Sequence, residues 1–257
     1  MGLLSGRVVI TGGGRGIGRA IALGFAREGA TIVISSRTGH ELETVLATVV
    51  QEGGVPGHFV VADAMDIAVA RRPVTEAIER FGRLDILVNN VGGSVGQTTD
   101  TFLADDSGFA STLVLCLTTA WWSATAALPA MRDAGWGRII NIGSGASKAT
   151  GGTIGYTTAK HGLVGFTRQL AAETAQFGIT VNCLCPGYTN TPRLSWDRVA
   201  KATNTTPAEA ERQATSLSLQ ARVLEPEELV GMATLLAGDA GGGITGQVIS
   251  VDGGYKV

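Results

Sequence analysis

Tyr156 and Lys160 stand four residues apart, a spacing that puts both side chains on one face of a helix. A phenol is a poor base at neutral pH, with an ordinary pKa of ~10, but a neighbouring ammonium favours its ionised form. Such a pair can hand a proton to an oxygen or take one from it. At helical spacing the same pair is commonly just two surface residues, so its meaning depends on its surroundings. A second chemistry-bearing segment lies near the start of the chain. Thr11-Gly12-Gly13-Gly14-Arg15-Gly16-Ile17-Gly18 follows the β-branched run Arg7–Thr11 and opens a helical pattern through Ile17, Ile21, Ala22 and Phe25. Glycines there allow a tight turn, close approach of backbone to a pyrophosphate, and close helix–strand packing. N–H groups and the dipole at the helix start then attract phosphate charge. An ordinary tight βα loop is the alternative; the strand–turn–helix context favours a dinucleotide site.

The next β-branched run ends in Ser35-Ser36-Arg37. An acid at this point would accept hydrogen bonds from a ribose 2′-hydroxyl and repel a 2′-phosphate, and none is present. Arg37 can form a charge-assisted fork with phosphate, Ser36 can donate a hydroxyl, and Arg15 adds positive charge nearby. A solvated loop arginine is the other reading of Arg37. The missing acid and the two arginines predict NADP(H), with NAD(H) as the alternative.

Elements that would position these residues recur along the chain. Strand-length apolar runs are Arg7–Thr11, Ala30–Ser35, His58–Ala62, Leu84–Asn89, Arg138–Ile142, Ile179–Leu184 and Gln247–Val251. Helical patterns fill Glu41–Gln51, Ile67–Phe81, Phe109–Met131, Ile154–Phe177 and Pro226–Leu236. Near-continuous apolar strands alternating with helices predict an α/β fold: one doubly wound, Rossmann-type domain over residues 1–257, its seven-stranded, mostly parallel sheet covered on both faces. The segment from about 192 to 221 lacks a strand period and reads as an insertion covering the ligand crevice.

Composition narrows the function classes. Of 257 residues 37 are glycine, about twice the usual share, while 16% are charged and 44% apolar. That balance excludes a disordered chain, and without a G-X-Y period collagen is excluded too. Twenty basic and 22 acidic residues, with no basic block longer than Arg71-Arg72, argue against nucleic acid or an acidic membrane surface as partner. Cys116, Cys183 and Cys185 read as reduced, buried thiols of a cytoplasmic protein. Cys183 and Cys185 share a strand face, but no second Cys/His pair completes a metal set, so no metal is expected. No apolar run suited to a signal peptide opens the chain, and Gly6 stands where a myristoylation motif needs Ser or Thr. Ser107–Met131 is uncharged and long enough to span a bilayer; its Ser and Thr residues and Pro129 fit better a helix buried on both sides, in a core and a subunit interface.

The spacing Gly12-x-x-x-Gly16-x-Gly18 after Thr11 resembles the short-chain dehydrogenase/reductase family, and further motifs follow in family order along nearly the whole chain. Asn89-Asn90-Val91-Gly92 is similar to the family's Asn-Asn-Ala-Gly, and Asn141-Ile142-Gly143-Ser144 to its serine-bearing strand end. Tyr156-Thr157-Thr158-Ala159-Lys160 matches its Tyr-x-x-x-Lys, Pro186-Gly187 with Thr191 its nicotinamide loop, and Asp252-Gly253-Gly254 its C-terminal signature. The resemblance implies interconversion of a ketone or aldehyde and an alcohol by hydride transfer. Tyr156 would be the acid/base, Lys160 would hold the nicotinamide ribose, and Ser144 would hydrogen-bond the reacting oxygen. Around the cofactor it adds Asp63 at the adenine, Asn89, Val91 and Gly92 on the adenosine side, and Pro186, Gly187, Thr189 and Thr191 by the nicotinamide. These join Gly12, Arg15, Gly16, Ile17, Gly18, Ser36 and Arg37. Cys116 replaces the asparagine of the family's catalytic tetrad, where a backbone role survives the change and the amide's hydrogen bonds do not. Ser144 and Tyr156 are also one residue closer than is typical, which leaves Ser147 as an alternative to Ser144.

A small-molecule pocket is expected from Gly93–Gln97, Gly145–Thr153, Tyr188 and the insertion, with Leu194 and Trp196 as apolar contacts. Trp121 and Trp122 would pack in a helix interface of a homotetramer or homodimer. Arg193, Arg198 and Lys201 leave a phosphorylated or CoA-bearing substrate open. Two other readings stand beside the carbonyl reductase: a 3-oxoacyl-thioester reductase, and an NADP(H)-binding protein with little catalysis.

Overall fold

Val- and Ile-rich runs supply β1 (Arg7–Thr11), β2 (Thr31–Ser36), β3 (His58–Val61), β4 (Ile86–Asn89), β5 (Gly137–Ile142), β6 (Ile179–Pro186) and β7 (Val248–Val251) in a computed structural model. The structure describes residues 2–4, 7–96, 100–103 and 105–256, without the side chains of 7–11 and 101. The strands form one sheet in the order β3-β2-β1-β4-β5-β6-β7, and every pairing is parallel. Strand order reverses between β1 and β4, which opens a crevice at the carboxyl ends of these two strands.

Side chains on a strand alternate between faces, and both faces here are apolar. Ile32, Ile34, Ile86, Val88 and Ile140 pack under helices α1 (Gly16–Arg27) and α2 (Gly39–Gln51) through Ile21, Phe25, Leu42 and Val45. On the other face Val33, Leu87, Ile139 and Val181 meet Val74, Ala124, Met131 and Leu170.

The pattern read as one helix over Ile67–Phe81 is two, α3 (Ile67–Ala70) and α4 (Arg72–Phe81). Asp66 caps α3 by accepting from the Ala68 N–H, and Pro73 stands in the first turn of α4, where its missing N–H costs nothing. The uncharged segment is continuous from α5 (Asp106–Leu113) through a π turn (Val114–Thr118) into α6 (Thr119–Ala134). By length and composition this stretch could cross a membrane, with a mean hydropathy of 1.4 and one third of its most apolar window buried. In the fold α6 lies on β4 and β5 and α5 on α7 (Ile154–Thr174). The expectation of burial on both sides holds for one side within this chain: Trp121 is 48% exposed on the other.

The segment around 192–221 contains α8 (Trp196–Thr203) and α9 (Pro207–Thr215), packed on one another. The last helix, α10 (Val230–Ala237), completes the layer beside α1.

Candidate active site

The crevice at the switch point is a cavity of about 1040 Å³, at the upper end of the range for ligand pockets. Its wall carries the glycine turn at one end and Ser144, Tyr156 and Lys160 at the other. Gly18 is not on that wall. A Cβ there would fall 2.4 Å from the Gly12 carbonyl oxygen and 2.5 Å from Asn90 Nδ2, so its role is the close approach of α1 to β1 and β4.

Tyr156 and Lys160 share the first turns of α7, which Thr153 caps by accepting from the Tyr156 N–H. Lys160 is only 3% exposed. Its Nζ donates to the Ile142 carbonyl at 2.7 Å and lies 5.8 Å from the Tyr156 ring centre. A buried ammonium needs such partners, and the end of β5 provides one. Ser144 begins the short turn after β5. Its Oγ accepts from the Ala146 N–H, and its own N–H donates to Ser147 Oγ at 3.1 Å. Ser147 is buried and absent from the crevice wall, whereas Ser144 is on it.

Cys116 occupies the centre of the π turn, an irregularity that recurs at functional positions in helices. Its Sγ accepts the Gly93 N–H at 3.0 Å and donates to the Gly93 carbonyl at 3.3 Å. The thiol therefore clamps the loop after β4, and Gly92 in that loop lies beside Lys160 Nζ and Cys116 Sγ. The other two thiols, Cys183 and Cys185, are 3.7 Å apart in the core. Their mutual hydrogen bond and burial push the Cys183 thiol up.

Of the expected cofactor residues, Gly12, Arg15, Gly16, Ile17, Ser36, Arg37, Asp63, Val91, Gly92, Tyr156, Lys160, Pro186, Gly187, Thr189 and Thr191 line the crevice. Asn89 does not. Its Nδ2 donates to Asn141 Oδ1 at 2.9 Å beneath α7, and Asn141 passes the chain to Thr167. The crevice residue is Asn90, whose Nδ2 holds the Gly12 carbonyl at 3.0 Å. Strand alternation explains the exchange: Asn89 faces the same way as Leu87, into the core.

At the catalytic end the walls include Ser94, Val95, Gly145, Ala146, Gly151, Gly152, Tyr188, Arg193, Leu194 and Arg198. Gln97 lies outside the described residues. Trp196 is not on the wall; it packs against Tyr188 from behind, ring centres 5.8 Å apart. Tyr255, which the sequence reading passed over, lines the crevice, sits edge-on to Tyr188 and rests against Gly145. The Asp252-Gly253-Gly254 turn just before it was the available signal.

Asp252 anchors that turn. It accepts from Lys148 Nζ at 3.0 Å and from the N–H groups of Gly254 and Tyr255 at 3.0 and 3.2 Å. Burial opposes its ionisation, but these donors outweigh burial and hold the carboxyl below its usual range. Asp252→Asn is expected to cost roughly 1–2 kcal/mol, read as a midpoint shift in urea unfolding at pH 7. Because the folded carboxyl is depressed, the stabilisation is complete above the unfolded value near ~3.9. It is lost as pH falls through the folded pKa, so the gap between variant and parent should close in acid.

Known proteins resemble this chain along nearly its whole length. The family model described as short chain dehydrogenase matches residues 7–201. The short-chain reductase protein NovJ of Streptomyces niveus is 34% identical over 250 residues, covering 96% of this chain and 92% of that protein. A solved actinorhodin polyketide ketoreductase with NADPH superposes with a TM-score of 0.91 at 30% identity, covering 98% of this chain and 97% of that one. Levodione reductase gives the same TM-score, identity and coverage.

Proposed function

The chain belongs to the short-chain dehydrogenase family, and from that premise we propose that it interconverts a ketone or aldehyde with its alcohol, using NADP(H). The single observation that carries the reading is the convergence of Tyr156, Lys160 and Ser144 on one wall of the crevice that begins at the glycine turn. The residues present fit such a dinucleotide. The first turn of α1 has neither a side-chain cap nor an acid, which leaves its N–H groups to a phosphate. Gly12, Gly16 and Ile17 would hold the pyrophosphate, Ser36 and Arg37 the 2′-phosphate, Asp63 the adenine, and Pro186, Gly187, Thr189 and Thr191 the nicotinamide side. The likeness to a ketoreductase solved with NADPH supports the same choice.

When bound, a nicotinamide would supply or accept the hydride. Tyr156 gives its phenolic proton to the carbonyl oxygen in reduction and takes it back in oxidation. Lys160, fixed on the Ile142 carbonyl, keeps its ammonium beside that phenol. Ser144, rather than the buried Ser147, donates to the reacting oxygen. Cys116 takes the tetrad position as a clamp on Gly93, not as a nucleophile. The exposed face of α5 and α6 is where a second copy would pack in a homodimer or homotetramer of a cytoplasmic enzyme.

A second reading is favoured by the likeness to a polyketide ketoreductase: reduction of a 3-oxoacyl thioester by the same residues. Both are tested by a panel of neutral ketones, aldehydes and the N-acetylcysteamine thioester of acetoacetate, followed at the reduced-nicotinamide absorbance. We expect turnover with NADPH at least ~10-fold more efficient than with NADH, equivalent to the loss of one charge-assisted contact. NADPH binding without turnover of any member would make the chain a cofactor-binding protein instead.

A further inference from the structure

We propose that the carbonyl substrate carries a carboxylate, held by the Arg193 guanidinium; the inference rests on the oxidoreductase reading above and specifies its substrate class. Charge along the crevice is divided by position. Its only carboxylates among the described residues are Glu41 and Asp63, both at the glycine-turn end. The catalytic end holds Lys160, Arg193 and Arg198, and the loop from 92 to 99 contains no acid in its sequence.

The Arg193 guanidinium reaches across to the loop after β4. A Cβ on Gly93 would fall 1.4 Å from its Nη2, so the guanidinium occupies space that opens only because residue 93 has no side chain. Gly93 (φ +143°) is itself clamped at both its N–H and its carbonyl by Cys116, which makes a fixed floor. The segment carrying Arg193 is anchored as well. Leu194 N–H donates to the Thr191 carbonyl at 2.9 Å, and Arg198 donates to the Arg193 carbonyl. Lys160 Nζ lies beside Gly92, and consecutive Cα atoms are 3.8 Å apart. The guanidinium therefore lies no more than about 12 Å from Lys160 Nζ, close enough for one small molecule to meet both Arg193 and the residues around Lys160.

Among the described residues Arg193 makes no ion pair, and it is exposed to the crevice. A planar guanidinium with uncommitted N–H groups is matched by a carboxylate, which takes two of them in parallel. Tyr188 and Tyr255 flank the same volume with ring faces and edges and would cover the apolar body of the molecule.

The test uses four acids, pyruvate, acetoacetate, levulinate and 4-formylbenzoate, each against its methyl ester, with NADPH. At least one acid should exceed its ester in kcat/KM by about tenfold or more, the worth of one charge-assisted hydrogen bond. In Arg193→Met that preference should collapse toward unity, and Arg193→Lys should keep part of it. The proposal is overturned if esters equal or exceed acids in every pair, or if the preference survives in Arg193→Met. A loss that falls on the KM for NADPH also overturns it, since Arg193 would then serve the cofactor's phosphates. Titration calorimetry of the same acids and esters on both proteins gives a readout without turnover. Arg193-dependent binding of an acid by a protein that reduces no carbonyl keeps the anion site and removes the proposed reaction. Reduction of esters with no acid bound does the reverse.

Discussion

Tyr156→Phe should lower kcat by about 10³-fold, within the range that positioned acid–base groups contribute, while leaving NADPH affinity within a few-fold. The substitution removes one oxygen and keeps the ring. The half-buried aromatic body beside Lys160 therefore stays in place, and the Lys160 bond to Ile142 is untouched. What disappears is the only proton donor that α7 presents to the crevice next to that ammonium. Ser144 does not substitute for it: its hydroxyl accepts from the Ala146 N–H in the turn after β5, and a neutral alcohol is a far weaker acid than a phenol. Turnover on the best panel substrate and NADPH binding by fluorescence titration decide the point together. A kcat reduced less than ~10-fold, outside the acid–base range, would remove Tyr156 from the proton step, and a parallel loss of NADPH binding would make it a cofactor residue first.

Local periodicity made the Tyr156–Lys160 pair and the glycine turn legible, because both lie within one helical turn or one βα connection. The alternating sheet was legible for the same reason: Ile32 and Ile34 against Val33, and Ile86 and Val88 against Leu87, already separate the two faces in the sequence. That period also assigns Asn89 inward with Leu87, whereas the motif Asn89-Asn90-Val91-Gly92 by itself does not say which asparagine faces the crevice. Pro73 likewise marked the break between α3 and α4, and a continuous apolar pattern masked it. Other features have no local signal. The π turn at Cys116 adds one residue to a helix whose uncharged sequence carries no mark of it, and the thiol's bonds to Gly93 appear only in the fold. Tyr255 against Gly145, and Arg193 over Gly93, join residues from distant segments of the chain, and the glycines that admit them look like any other loop glycines until the partner is placed.

Arg37→Asp should reverse the cofactor preference, raising the KM for NADPH by about 100-fold while changing that for NADH much less. The reasoning turns on which cation near the 2′-position is uncommitted. Arg15 faces Glu41, Nη1 to Oε1 at 3.8 Å, so part of its charge is already answered within the protein. Arg37 is exposed on the crevice rim and joins none of the described ion pairs. Ser36 beside it both donates to the Thr38 carbonyl and accepts the Thr38 N–H, which fixes its oxygen at the end of β2 but leaves it no charge to offer. A 2′-phosphate would thus depend on Arg37, and losing a charge-assisted fork costs about 1.5–3 kcal/mol, or roughly ten- to a hundredfold. An aspartate at 37 adds repulsion of the phosphate and an acceptor for a ribose hydroxyl, so the two cofactors should move in opposite directions. Steady-state kcat/KM with each cofactor on one carbonyl substrate measures the ratio. An unchanged NADPH value would place the 2′-phosphate elsewhere, with Arg15, freed from Glu41 on binding, as the residue that holds it.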